Sequence, residues 1–76
     1  IVASHGKGSY LWDVNGEKYL DFSSGIAVNN VGHCHPRVVA AAKEQIDKLI
    51  HCAMVTCHEP IIKLAEKIAS IAPAGL

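Results

Sequence analysis

Residues 8–22 read Gly8-Ser9-Tyr10-Leu11-Trp12-Asp13-Val14-Asn15-Gly16-Glu17-Lys18-Tyr19-Leu20-Asp21-Phe22, "GSYLWDVNGEKYLDF". Tyr10 and Trp12 on one side and Tyr19 and Phe22 on the other flank "DVNGE", and Asn15-Gly16 is a turn signal because both residues tolerate positive φ. The stretch predicts a β-hairpin with strands at Ser9–Val14 and Lys18–Phe22. All four aromatic side chains of the 76-residue chain lie in it. An isolated hairpin is marginal in water, so this one needs cover from further strands or a helix.

Downstream, residues 23–35, "SSGIAVNNVGHCH", are rich in Ser, Gly and Asn and hold neither a helical nor a strand period. They predict an irregular connection, and connections of this length in a compact domain are functional or flexible. From Pro36 the pattern changes. Val39, Ala42, Ile46, Leu49, Ile50 and Ala53 recur at helical spacing while Arg37, Lys43, Glu44, Asp47 and Lys48 take the other face, which predicts an amphipathic helix over about 36–51. A second helix is predicted over about 59–72. Pro60 suits its first turn, Ile61, Leu64, Ala65, Ile68 and Ala72 form its stripe, and Pro73 ends it. The fold class is therefore α+β: an N-terminal hairpin followed by two amphipathic helices.

Bulk composition excludes several classes of function. Seven basic residues balance seven acidic ones and are dispersed, so the chain carries neither a nucleic-acid footprint nor a polybasic membrane patch. No apolar run approaches the ~20 residues that span a bilayer. Three irregularly spaced cysteines make no disulfide framework, and reduced thiols in a cytoplasmic setting fit better. A domain of this size buries only about 60% of the surface its unfolded chain exposes. Together with a start at Ile1 and a stop at "APAGL", this reads as a piece of a longer protein.

The stretch "GHCHP", residues 32–36, places two imidazoles and a thiol within three positions and admits three readings. His33, His35, His51, Cys52, Cys57 and His58 would be enough donors for a four-ligand zinc site, but Cys52-x4-Cys57 departs from the C-x2-C spacing of zinc ribbons and fingers. A Cys34 nucleophile needs a base that the fold, not the adjacent residue, brings to it. Helix initiation needs only what is there: Pro36 at the first helical position, His35 in extended geometry before it, and Gly32 allowing a sharp approach. Helix initiation is the preferred reading, and no metal site is expected. A His/Cys metal-binding module and an independent α+β interaction domain remain as alternatives.

Taken in order, "YLWDVNGEKYLDF", "GIAV", "GHCHP" and "EPIIKLAEKIASIAP" resemble the N-terminal segment of the class III, pyridoxal-phosphate-dependent aminotransferases, which include the 4-aminobutyrate, acetylornithine and ornithine aminotransferases. The resemblance runs over nearly the whole chain. It implies a fold-type I enzyme, a homodimer with active sites at the subunit interface, the hairpin belonging to the small domain, and the catalytic large domain lying outside these 76 residues. It further implies that Ile26 matches the substrate-gate position, with Ser23, Ser24 and Gly25 leading into it. Members acting on 4-aminobutyrate or acetylornithine commonly carry isoleucine there, whereas ornithine-specific members carry an aromatic. An apolar side chain at a pocket mouth suits the aliphatic part of an ω-amino acid.

The same resemblance places the Schiff-base lysine, the acid that faces the pyridine nitrogen and the phosphate nest downstream of this chain. Lys7, Lys18, Lys43, Lys48, Lys63 and Lys67 lie at the terminus, in the hairpin or on polar helix faces, without the desolvated setting that makes a lysine nucleophilic. Arg37 opens a helix on its polar side and is not the substrate-carboxylate arginine. The expectation is a cytoplasmic enzyme moving an amino group from a 4-aminobutyrate-like donor to a keto acid. Its partners are those substrates, the rest of its own polypeptide and a second subunit, and the 76 residues alone are inactive, with no catalytic, cofactor-binding or metal-binding residue among them.

Overall fold

A computed structural model describes all residues from Ile1 to Leu76. The chain divides into two units, residues 1–46 and 47–76. The first holds an antiparallel sheet of three strands in the order β1-β2-β3, with β1 at Ala3–Lys7, β2 at Tyr10–Asp13 and β3 at Lys18–Leu20. Helix α1 (Pro36–Ile46) completes this unit and helix α2 (Glu59–Ile71) belongs to the second.

Strand β1 falls where the sequence predicts none, and its residues show why. "ASHGK" has no apolar alternation and stands mostly exposed. The signal that marks it is the dipeptide Gly8-Ser9 joining Lys7 to its partner Tyr10. Gly8 has φ +58°, the sign that the first central residue of a tight II′ hairpin turn requires.

The expected hairpin is present as β2 and β3, both shorter than the predicted 9–14 and 18–22. Tyr10 pairs with Leu20, Leu11 with Tyr19 and Trp12 with Lys18. In the turn only Gly16 takes positive φ, at +83°, and its N–H donates to the Asp13 carbonyl at 3.1 Å. Asp13 explains the rest. Its Oδ1 accepts the Asn15 and Glu17 N–H groups at 2.9 and 3.0 Å, and its Oδ2 accepts the Tyr19 hydroxyl at 3.0 Å. It is the one residue buried as a whole, 7% exposed. Burial pushes its carboxyl up, but the bonds from Glu17, Tyr19 and Asn15 outweigh this and hold it below the ordinary value.

Alternation along the strands separates two faces. One carries His5 stacked on Trp12, ring centres 4.9 Å apart and nearly parallel, with the Lys18 ammonium 4.0 Å from the Tyr10 ring centre. The other carries Gly6, Leu11, Asp13 and Tyr19.

Helix α1 starts at Pro36 as the sequence predicts. His35 accepts the Arg37 N–H on Nδ1 at 3.2 Å and the Val39 N–H on its carbonyl at 2.9 Å, so it serves as the cap. The helix stops at Ile46 instead of reaching 51. No Gly or Pro lies in 47–51. A helix this short takes its length from apolar contacts, and Ile46, Leu49 and Ile50 are exposed. Helix α2 begins after His58, whose Nδ1 accepts the Ile61 N–H at 3.4 Å, with Glu59 and Pro60 in its first turn. It ends one residue before the predicted 72, because Pro73 drives Ala72 to an extended ψ of 145°. No hydrophobic side chain in either unit is buried.

Candidate functional site

The connection 23–35 is more ordered than its composition implies. Ser24, Gly25, Ile26 and Ala27 have φ of 45, 67, 59 and 61°, so four consecutive residues form one left-handed helical turn. Its backbone bonds follow helical spacing, with the Ala27 N–H on the Ser23 carbonyl and the Val28 N–H on the Ser24 carbonyl, both at 2.9 Å. For residues with a Cβ this conformation costs about 1–2 kcal/mol each, and a β-branched residue such as Ile26 is the least suited to it. The Ile26 side chain is 92% exposed.

Asp21, just after β3, anchors the start of this turn. Its Oδ1 accepts the Ser23 N–H at 3.0 Å, the Ser23 hydroxyl at 2.8 Å and the Ser24 N–H at 3.0 Å. Its Oδ2 lies 2.6 Å from His33 Nε2. The bond from His33, then those from Ser23 and Ser24, bring the carboxyl down to about 2. Asp21 is therefore ionised at neutral pH, and His33 Nε2 carries the proton and donates it.

His33 is held twice. Its N–H donates to the Gly8 carbonyl at 2.8 Å and its carbonyl accepts the Gly8 N–H at 3.1 Å, which ties it to the β1–β2 turn. Its ring base lies over Gly6, where an added Cβ would come within 2.9 Å of His33 Cβ and Cγ. Gly32 approaches Gly8 almost as closely, a Cβ built on it lying 3.1 Å from Gly8 Cα. Between the turn and this bridge lies an open hollow of about 230 Å³ bordered by Asp21, Ser24, Asn29 and His33.

Of the residues the sequence singles out, Ser24, Gly25 and Ile26 thus lie together on the left-handed turn, and Ser23, in ordinary right-handed geometry at φ −82°, leads into it. His33 takes no part in the helix start and turns to Asp21, twelve residues away. No local pattern announces that pairing, and Asp21 carried no expectation at all. Cys34 is exposed with φ +53°, and Cys34, Cys52 and Cys57 are free thiols. No three His, Cys, Asp or Glu side chains converge on one point.

The model of the family described as "Aminotransferase class-III" matches residues 1–75. The chain belongs to the class-III aminotransferases. Among curated aminotransferases, it is 51% identical over 74 residues to the 5-aminovalerate aminotransferase DavT of Pseudomonas aeruginosa and 51% identical over 71 residues to the acetylornithine aminotransferase of Methanocaldococcus jannaschii. These alignments cover 96% and 93% of the chain but 17% and 18% of the two relatives, so the chain spans less than a fifth of either. Among solved structures, the N-acetylornithine aminotransferase of Stenotrophomonas maltophilia superposes with a TM-score of 0.84 at 38% identity, over 92% of this chain and 19% of that one. A transaminase from the marine bacterium Virgibacillus superposes with a TM-score of 0.83 at 42% identity, over 100% of this chain and 18% of that one. The sheet and helices are accordingly a part of the class-III aminotransferase fold.

Class-III aminotransferases use pyridoxal phosphate, which supplies an aldehyde that takes up and returns an amino group. Lys7, Lys18, Lys43, Lys48, Lys63 and Lys67 are all exposed, and none stands in the enclosed apolar setting that a lysine needs to react with an aldehyde near neutral pH.

Proposed function

We propose that this chain is the substrate-facing N-terminal part of an aminotransferase that moves an amino group from an ω-amino acid of the 4-aminobutyrate type to a keto acid. In the overall reaction the donor's amine-bearing carbon becomes a carbonyl and the acceptor's carbonyl becomes an amine-bearing carbon. The observation that carries the reading is the family match across residues 1–75. The exposed apolar Ile26 on the left-handed turn supports an aliphatic donor, because such a side chain discriminates by shape without demanding a hydrogen bond. Ser23, Ser24 and Gly25 set the approach to it. Several relatives named as acetylornithine aminotransferases favour a second reading, in which the donor is acetylornithine.

The cofactor lysine, the large domain and a second subunit are, on this reading, supplied from outside the 76 residues. Uncovered apolar side chains on both helices, Val38 and Ile46 on α1 and Ile61, Leu64 and Ile68 on α2, are the surfaces those partners would cover. No helix is long and apolar enough to cross a membrane. Free thiols suit a cytoplasmic location.

The test is amino transfer by the complete polypeptide, supplied with pyridoxal phosphate and a 2-oxo acid, from 4-aminobutyrate, 5-aminovalerate, acetylornithine and ornithine in turn. The reading expects the highest kcat/KM with a straight-chain ω-amino acid and the lowest with ornithine. Preference for acetylornithine favours the second reading, and preference for ornithine refutes the assignment of Ile26.

A further inference from the structure

A run of four left-handed residues, three of them bearing a Cβ, persists only where its surroundings over-determine it. Ile26 itself does not hold the turn, since its side chain is 92% exposed. The restraints lie at the two ends. At the start, Asp21 Oδ1 takes the Ser23 and Ser24 N–H groups and the Ser23 hydroxyl. After the turn, the Asn29 N–H returns to the Ser24 carbonyl at 2.8 Å and the Gly32 N–H to the Asn29 carbonyl at 2.9 Å. His33 joins both ends: its backbone pairs with Gly8, its base presses on Gly6, and its Nε2 meets the second oxygen of Asp21 at 2.6 Å. The Asp21 and His33 side chains are only 7% and 16% exposed, so the contact is shielded and fixed in direction.

We infer that Asp21 and His33 are positioning residues, a clamp across the base of the left-handed turn that sets where Ile26 meets the aliphatic part of the amino donor. The inference rests on the functional reading above. The clamp fixes a backbone, the backbone aims one apolar side chain, and the expected signature is a change in choice among donors rather than a uniform loss of rate.

The experiment uses the complete polypeptide and a series of straight-chain ω-amino acids of increasing length. Variants are His33→Ala, His33→Gln, Ile26→Ala and the His33→Ala, Ile26→Ala double substitution. His33→Ala is expected to change the ratio of kcat/KM between long and short donors by about tenfold, chiefly through KM. His33→Gln, whose amide nitrogen reaches the place of Nε2, is expected to restore most of the ratio. With Ile26 already removed, loss of His33 should change the ratio by less than about twofold, the coupling expected of residues that act as one unit.

Independent, multiplying effects of the two substitutions on the ratio would overturn the clamp, and so would a drop in kcat shared equally by all donors. Lower thermal stability with an unchanged ratio would also overturn it. If His33→Ala fails to fold, His33→Asn, too short to reach Asp21, is read against the same outcomes. Absence of amino transfer by the unaltered protein refutes the functional reading itself, whereas transfer with a choice of donor indifferent to His33 refutes the clamp alone.

Discussion

Two aspartates organise the first unit, each by accepting backbone N–H groups from the turn that follows it. Asp13 closes the β2–β3 turn and Asp21 opens the left-handed one. Because the Asp21 carboxyl falls from 3.8 to about 2, its contribution to stability is complete above pH 3.8 and is lost as pH falls through about 2. Acid unfolding of the complete polypeptide should therefore differ between the native protein and Asp21→Asn at mild acidity and converge at the acid extreme. Parallel curves at every pH would contradict this. A second residue-scale prediction concerns Gly6. A methyl there collides with His33 Cβ and Cγ, so Gly6→Ala should destabilise by about 1–3 kcal/mol, as overpacking does, measured by denaturant unfolding. The aspartates also show where reading residues one by one stops. Asp13 lies two and four residues from its N–H donors, within reach of local pattern reasoning. The partner of Asp21 lies twelve residues on, and only the closure of the sheet reveals it.

Among the elements, those with a strong local signature were legible. Aromatic pairs around Asn15-Gly16 mark β2 and β3, and Pro36 and Pro60 mark two helix starts. Strand β1 was not, because Ala3–Lys7 carries no apolar side chain larger than alanine and is a strand by virtue of its partner. The left-handed turn was illegible for the opposite reason: apart from Gly25, its residues argue against the conformation they adopt. Ser23, Ser24, Gly25 and Ile26 were picked out through family resemblance, and the positive φ values of the last three supply a physical reason to regard the segment as special. Strain of this kind can be relieved. Ala27→Gly, at φ +61°, should stabilise the complete protein by about 0.5–1 kcal/mol, the relief of a left-handed Cβ less the entropy glycine adds to the unfolded chain. Unchanged or lower thermal stability would show that the turn is not strained at that residue.

At the scale of the whole molecule, the absence of a buried hydrophobic side chain is the dominant fact. Neither unit encloses a core of its own, and each helix presents an apolar stripe with nothing over it. The 76 residues by themselves should therefore self-associate or remain a compact species without fixed tertiary contacts. Sedimentation and thermal melts would reveal this, and a cooperative monomeric transition would instead favour an independent interaction domain. Family membership explains the same fact, since the chain spans less than a fifth of the relatives named above. On the function proposed above, this segment shapes the place of the substrate while cofactor attachment lies elsewhere. The direct test is to reduce the complete polypeptide with borohydride in the presence of pyridoxal phosphate and map the labelled lysine. The account predicts a single labelled lysine outside residues 1–76, and stoichiometric label on any of Lys7, Lys18, Lys43, Lys48, Lys63 or Lys67 would contradict it.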